Sequence, residues 1–321
     1  MRFVILAAGV AVGGNRGLAQ EPEAEAFRIL PHRAETTHYI VVGTAPPAVL
    51  LRLGRDMDFM YEAYDREFRG IFAEPDAEQD KRKSKSSRKK RRPSSKRRGN
   101  QRQTATAPAH VGPKHHLVIL ADENDFRTWT QQYIPKALPW VDAFFTASLR
   151  AVVIHLKEDG LEGAYPLLFH EGFHQFLFQY VPDAPVWLDE GLAVHYEQAR
   201  PSRNGWRFPP HEGRFRFCAR KLDARQLTPL NQLFAMDQKT FYGGQMRHDP
   251  EGEQAGQHYS EAYTLLYMML QNAEAKALLQ GYVRDLAKRE GEDVMAITAK
   301  HFPPRVISRL QEAWLQTVRR Y

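Results

Sequence analysis

Hydrophobic and polar residues follow two different patterns along the first half of the chain. Short runs dense in aliphatic and β-branched residues predict strands, and apolar residues repeated at helical spacing predict helices that bury one face. A helix follows each of the first two strands, and Asp122 or Asn124 is placed to cap the second helix. The predicted strands are residues 38–45, 115–122 and 149–157, and the predicted helices are residues 45–72 and 123–134.

The second half of the chain is mainly helical in pattern. A very apolar helix is predicted over residues 163–180, and Pro166 is acceptable only near its first turn because proline lacks the N–H that a later turn needs. The sequence VPDAP, residues 181–185, ends this helix, and another helix begins directly after it. The later predicted helices are residues 186–199, 259–271, 275–289, 293–302 and 303–320.

Together these elements predict an α+β fold with a small mixed sheet. With 321 residues, of which 43% are hydrophobic, the chain is long enough to bury a sizeable core. We place a small α/β lobe at residues 37–199 and a mainly helical lobe at residues 200–321, because a connection rich in Pro, Gly and Arg begins at residue 200.

One basic segment dominates the charge of the chain. The formal net charge is +7, but residues 81–98 alone carry 12 Lys and Arg, which leaves 33 basic residues against 38 acidic ones elsewhere. The surrounding residues 74–113 contain almost no apolar side chains, so they cannot bury enough surface to offset the entropy of ordering. We predict a disordered loop with weak affinity for polyanions, since no aromatic residues are interleaved for stacking on bases.

The N-terminus has the pattern of a secretory signal peptide. Arg2 precedes a short apolar run, and small residues at positions 17–19 lie where a signal peptidase could cut. We therefore expect residues 1–19 to be removed and the protein to be secreted or periplasmic. No apolar stretch reaches the roughly 20 residues of a membrane-spanning helix, which argues against an integral membrane protein. The single cysteine, Cys218, excludes an intramolecular disulfide and is interpreted as a small apolar core residue.

The strongest chemical motif is H-E-x-x-H, formed by His170, Glu171 and His174. On a helix, residues four positions apart lie on one face about one turn from each other, so both imidazoles can reach one cation. Glu171 then lies beside them, where it can take a proton from a metal-bound water without being a ligand. Gly172, inside the motif, lowers helix propensity, which indicates close packing against a neighbouring element.

A catalytic zinc site needs a third protein ligand and one open position. The position six residues after His174, which supplies a third ligand in one class of zinc proteases, is Tyr180, and this excludes that class. A glutamate from the next helix is the remaining common solution. Glu190, in the segment WLDEG, lies sixteen positions after His174, which is enough for one helix to end and the chain to return. His195, five positions further on, is expected to be structural.

The segments HEGFHQ and PVWLDEGLAVHYE resemble the gluzincin clan of zinc metallopeptidases, in which a W-L-x-E-G-x-A segment supplies a glutamate ligand. The resemblance is strongest to a bacterial family of exported gluzincin-like domains, which shares the order of strand, helix, strand and H-E-x-x-H helix. It is specific over residues 167–197 and looser over residues 37–270.

This resemblance implies a thermolysin-like catalytic domain in which Zn²⁺ is bound by His170, His174 and Glu190. Glu171 would be the general base of a metal-assisted hydrolysis. The developing oxyanion would need a second hydrogen-bond donor, for which Tyr259 is the candidate and His258 the other option. Alternatively, Tyr259 is a core residue at the start of a helix.

The sequence also departs from the clan. Val194 stands where thermolysin carries an acidic residue that orients a histidine, so Asp189, Glu197 and Glu261 are the open candidates for that role. No G-x-M-E-N stretch precedes the site, so capture of a free amino terminus is not expected.

Two functions from different classes are compatible with these features. The first is an exported zinc-dependent metallopeptidase that hydrolyses a peptide or protein substrate, with the strand at residues 151–156 as the edge on which an extended peptide pairs. The second is a non-catalytic protein of gluzincin fold that uses residues 81–98 to contact polyanions. The presence of both histidines, the base and the glutamate favours the enzyme.

Overall fold

The structure is a computed structural model that describes residues 25–72, 113–134, 141–157, 160–203, 205–243 and 253–321. The predicted signal peptide, residues 1–19, lies outside the described residues, as does the basic segment at residues 81–98. Both stay predictions. Within the described ranges, no helix is long and apolar enough to cross a membrane.

A mixed sheet forms the first part of the fold. Its inner strands β2 (Tyr39–Gly43), β3 (His115–Leu120) and β5 (Ala151–His155) are parallel, and they are rich in aliphatic residues because both faces of the sheet are covered. Two short strands, β1 (His32–Glu35) and β4 (Ala143–Thr146), pair antiparallel at the two ends. The resulting order is β1-β2-β3-β5-β4.

The sequence pattern predicts the three inner strands and misses the two outer ones. Each outer strand has four residues, and β1 consists largely of polar residues, so neither contains enough of the strand pattern to be recognised. The expectation that residues 151–156 form an edge of the sheet is wrong. β4 pairs with β5 and takes the outer position, so β5 is an inner strand.

Helices cover the two faces of this sheet. α2 (Pro47–Phe72) and α4 (Gly160–Tyr180) pack on one face, where their apolar residues join alternate side chains of the strands in the larger core. The short α1 (Glu25–Arg28) and α3 (Glu123–Tyr133) contribute to a smaller core on the other face. This alternation follows from the period of two in a strand, which sends successive side chains to opposite faces.

Two helix starts can be compared with the sequence. Asp122 caps α3, because its Oδ1 accepts a hydrogen bond of 2.9 Å from the backbone N–H of Asp125, which selects Asp122 over Asn124. α4 begins at Gly160, earlier than predicted, so Pro166 lies within the helix beyond its first turn. The cost is one backbone hydrogen bond that the proline cannot donate.

The second half of the described chain is mainly helical. α5 (Val186–Glu197) directly follows the turn after α4, and α9 (Glu253–Gln271) packs against both α5 and α6 (Glu212–Asp223). The larger core continues from the sheet into these helices. The mixed α+β class, the small mixed sheet and the helical C-terminal region are thereby confirmed. The remaining elements are α5 (Val186–Glu197), β6 (Arg200–Ser202), β7 (Gly205–Arg207), α6 (Glu212–Asp223), α7 (Leu230–Ala235), α8 (Gln238–Phe241), α9 (Glu253–Gln271), α10 (Ala273–Lys288), α11 (Val294–His301) and α12 (Pro304–Val318).

Two glycines allow other helices to approach α4 and α5 closely. A Cβ atom added at Gly172 would lie 2.3 Å from Cε of Met57 on α2, which confirms the close packing expected there. A Cβ atom added at Gly191 would lie 2.9 Å from the carbonyl oxygen of Ala262 on α9. Both distances are shorter than van der Waals contact, so these positions favour the residue without a side chain.

Candidate metal centre

Two helices bring the predicted ligands together. His170 and His174 are one turn apart on α4, and their ring centroids are 4.8 Å from each other. Glu190 on α5 faces both rings, with its Oε2 atom 3.5 Å from Nε2 of His170 and 3.6 Å from Nε2 of His174. All three side chains are buried, with at most 5% of their surface exposed. Within the described residues, this is the group of side chains that could hold a metal ion.

The spacing of the three donor atoms fits a small cation. An ion held tetrahedrally with bonds of about 2.0–2.2 Å separates its ligand atoms by about 3.3–3.6 Å. The two distances from Oε2 of Glu190 agree with that range. Nε2 of His174 and Oε2 of Glu190 are buried and make no hydrogen bond with any described residue. Because buried polar atoms are normally partnered, a cation between them would satisfy both.

The outer nitrogen of each imidazole is held by a carboxylate. Nδ1 of His174 lies 2.7 Å from Oδ1 of Asp189, and Nδ1 of His170 lies 3.1 Å from Oε2 of Glu197. Each Nδ1–H can donate to its carboxylate, which leaves Nε2 with the lone pair that a metal needs. Asp189 and Glu197, two of the three open candidates for orienting a histidine, therefore each contact one of the two histidines. The third, Glu261, instead accepts hydrogen bonds from the backbone N–H of Thr228 and from Gln257.

A basic residue contacts the far side of Glu197. Nη2 of Arg214, on α6, is 3.6 Å from Oε1 of Glu197. Burial raises the pKa of Glu197, but the hydrogen bond with His170 and the charge of Arg214 outweigh burial and lower it below its usual value. Glu197 therefore stays ionised. No sequence spacing relates Arg214 to the motif, so only the packing of α6 identifies it.

The carboxylates also control the charge of the two histidines. Burial lowers the pKa of His170, but the nearby carboxylates of Glu190 and Glu197 outweigh this and raise it to about 10. Burial likewise lowers the pKa of His174, and the charges of Asp189 and Glu190 raise it to about 9. The site therefore holds positive charge strongly, as protons or as a cation. A cation entering it would displace protons from the imidazoles.

Glu171 links the histidines to the end of the sheet. It is 3% exposed, and its Oε2 atom accepts a hydrogen bond of 2.8 Å from the backbone N–H of Phe145 in β4. Burial raises the pKa of Glu171 above its usual value, although both imidazoles act in the opposite direction. A raised pKa makes this carboxylate a better proton acceptor than an exposed one. No pattern in the sequence indicates this contact with β4.

The helical region places two tyrosines next to Glu190. The hydroxyl of Tyr259 is buried and makes no hydrogen bond among the described residues, and burial and the nearby Glu190 keep its pKa well above the usual range. Tyr242, which the sequence analysis missed, donates a hydrogen bond of 2.5 Å to Oε1 of Glu190. His258 instead has its Nδ1 atom 2.7 Å from the carbonyl oxygen of Phe241.

No protein-family model and no curated protein matches this chain. The fold and the site together define a class: an α+β protein with a buried centre of two histidines and one glutamate that could hold a metal ion.

Proposed function

We propose that this chain is an exported zinc-dependent metallopeptidase with a gluzincin-like catalytic domain. The observation that carries the proposal is the convergence of three buried donor atoms, from His170, His174 and Glu190, beside the carboxylate of Glu171. Two imidazoles and one carboxylate form the ligand set of catalytic zinc sites that keep one position open. Export rests on the signal-peptide pattern at residues 1–19.

Glu171 is the residue that moves protons in this mechanism. Zinc, when bound, supplies a water of lowered pKa and polarises the carbonyl of the scissile bond. Glu171 accepts the proton of that water on its carboxylate. The oxygen of that water would attack the carbonyl carbon, and Glu171 would donate the proton to the nitrogen of the leaving amine as the C–N bond breaks. The hydrogen bond from Phe145 to Oε2 directs Oε1 as the oxygen that exchanges the proton.

Tyr259 stabilises the charge that develops on the carbonyl oxygen. Its buried hydroxyl makes no hydrogen bond among the described residues, and burial and the nearby Glu190 raise its pKa, so it remains a neutral donor. A donor already held in a buried site stabilises an oxyanion without reorganising during the reaction. Tyr259→Phe should therefore lower kcat and leave zinc binding intact.

The end of the sheet beside Glu171 is where an extended substrate would bind. β4 is the outermost described strand on this side, and the N–H of Phe145 points to Glu171 rather than to β5. A peptide paired with the outer side of β4 would therefore bring its backbone next to the proton-accepting group. This replaces β5 as the proposed docking strand.

Metal analysis combined with one substitution tests the proposal. The purified full chain should contain one zinc ion, and it should cleave an unstructured polypeptide such as casein. Glu171→Gln should keep the zinc and lower cleavage by about 10²- to 10⁴-fold. Glu162→Gln, an exposed change on the same helix, is the matched control and should cleave as the wild type does.

Three outcomes would contradict the proposed peptidase or favour the non-catalytic alternative. Protein that binds no zinc, or cleavage that does not respond to Glu171→Gln, would refute the peptidase. Zinc binding without cleavage of any supplied polypeptide would instead support the non-catalytic binding function.

A further inference from the structure

The two oxygens of Glu190 have different surroundings. Oε2 faces the Nε2 atoms of His170 and His174, at 3.5 and 3.6 Å. Oε1 accepts the hydroxyl of Tyr242 at 2.5 Å. The carboxylate is 1% exposed, so water does not compete for either oxygen. One oxygen is therefore directed at the candidate metal position, and the other is held away from it.

Tyr242 is positioned by contacts that do not involve Glu190. It follows the short helix α8, whose start is capped by Asp237, with Oδ1 accepting the N–H of Thr240 at 2.7 Å. At the other end of α8, His258 on α9 lies 2.7 Å from the carbonyl oxygen of Phe241 through Nδ1. The backbone next to Tyr242 is thus hydrogen-bonded to a side chain of α9. These contacts hold the backbone from which the side chain of Tyr242 reaches Glu190.

A carboxylate can bind a cation through one oxygen or through both. A strong hydrogen bond to one oxygen occupies that oxygen and fixes the plane of the group, which favours binding through the other. The neighbouring Tyr259 does not provide this constraint, because its hydroxyl makes no hydrogen bond among the described residues. The constraint on Glu190 therefore comes from Tyr242.

We propose that Tyr242 is a positioning residue that restricts Glu190 to binding the metal through Oε2 alone. This inference rests on the proposed metal site and concerns how that site is tuned. Binding through one oxygen keeps the number of protein ligand atoms at three and leaves a position open, as catalytic zinc sites require. Without the hydroxyl of Tyr242, Glu190 can turn and offer both oxygens, which raises the coordination number.

The test uses the full chain loaded with zinc or with cobalt(II). Tyr242→Phe removes only the hydroxyl, and we expect zinc affinity, measured by competition with a chelator, to fall by about 10- to 100-fold. Four-coordinate cobalt(II) absorbs visible light more strongly than five-coordinate cobalt(II). The visible bands of the cobalt form should therefore weaken in Tyr242→Phe, a change that a merely structural role would not produce.

Two tyrosines serve as matched controls. Tyr259→Phe removes the other hydroxyl near Glu190 and should leave zinc affinity and the cobalt spectrum unchanged. Tyr282→Phe removes a buried hydroxyl that lies 2.7 Å from Thr298, away from the site, and should also leave both unchanged. If Tyr242→Phe folds poorly, Tyr242→His is the second variant: its shorter ring cannot reach Oε1 of Glu190, so it should weaken the visible cobalt bands as well.

The outcomes separate this inference from the proposed function. Wild-type protein that binds neither ion would refute both. If the wild type binds zinc and cleaves polypeptide, but Tyr242→Phe has the same affinity and the same cobalt spectrum, the inference about Tyr242 is wrong and the peptidase remains. Weaker binding with a changed spectrum in Tyr242→Phe alone supports the inference.

Discussion

Asp189 and Glu190, adjacent in the sequence, face the two nitrogens of one imidazole. Oδ1 of Asp189 lies 2.7 Å from Nδ1 of His174, and Oε2 of Glu190 lies 3.6 Å from Nε2 of the same ring. One short segment at the start of α5 therefore supplies both the candidate ligand and the group that orients another ligand. This arrangement ties the geometry of the site to the packing of α5.

The carboxylate that orients His170 should affect metal binding. Glu197→Gln removes a negative charge from the partner of Nδ1, which makes the imidazole a weaker ligand, and we expect zinc affinity to fall by about tenfold or more. Glu261→Gln is the matched control, because Glu261 is also buried but bonds to Thr228 and Gln257. Chelator competition measures both variants. Equal losses of affinity would contradict the assigned roles.

The contact between α5 and α9 at Gly191 should tolerate no side chain. A Cβ atom there would lie 2.6 Å from Cδ1 of Leu266 and 2.9 Å from the carbonyl oxygen of Ala262. Gly191→Ala should therefore lower the free energy of unfolding by about 1–3 kcal/mol. It should also weaken zinc binding, because a shift of the backbone at Gly191 displaces the adjacent Glu190.

Gly256, on α9, is the control for that substitution. A Cβ atom there meets nothing within 4 Å. Gly256→Ala should raise the free energy of unfolding by about 0.5–1 kcal/mol, because alanine favours the helix. Urea unfolding of both variants checks the pair, and a stable Gly191→Ala protein would show that the helices can separate at little cost.

His195 should make the fold sensitive to acid. Burial, helped by the charge of Lys276, lowers the pKa of His195 to about 4. Its ring lies against Phe208 and Tyr267, with centroids 5.2 and 6.2 Å away. Between about pH 6.5 and pH 4 the unfolded chain binds a proton that the folded protein excludes. Stability is therefore lost as the pH falls through this range, by up to about 3 kcal/mol from this residue.

His195→Phe isolates that contribution. The variant keeps an aromatic ring in an aromatic environment and cannot titrate, so its free energy of unfolding should fall less than that of the wild type between pH 7.5 and pH 4. Denaturant unfolding at several pH values measures the difference. Parallel curves for the two proteins would show that His195 does not titrate as stated.

Cys218 should be unreactive in the folded protein. Its thiol is fully buried 3.6 Å from Oγ1 of Thr264, and burial raises its pKa to about 12, so very little thiolate forms at pH 8. We expect a thiol reagent such as Ellman's reagent to react with the wild type only after denaturant is added. Ser308→Cys adds a thiol at an exposed position and should react in the native state. Rapid native labelling of Cys218 would contradict its core position.

The part of the site that could be predicted is the part built from neighbouring turns of helix. His170, Glu171 and His174 share one helix, and Glu190 follows after one reversal, so helical spacing and a turn are enough to bring them together. The same local rules predict the inner strands and most of the later helices. They do not rank Asp189, Glu197 and Glu261 as partners of the histidines, because that choice depends on how α5, α6 and α9 pack.

The remaining contacts were decided by tertiary structure alone. Phe145 precedes Glu171 by 26 positions and Tyr242 follows Glu190 by 52, and no periodic pattern links such separations. The sequence by itself determined an α+β protein with two histidines and two glutamates, Glu171 and Glu190, at the spacing of a metal site. Only the packing of the sheet edge and the helical region decided which backbone N–H bonds to Glu171 and which hydroxyl bonds to Glu190, because these contacts join distant segments of the chain.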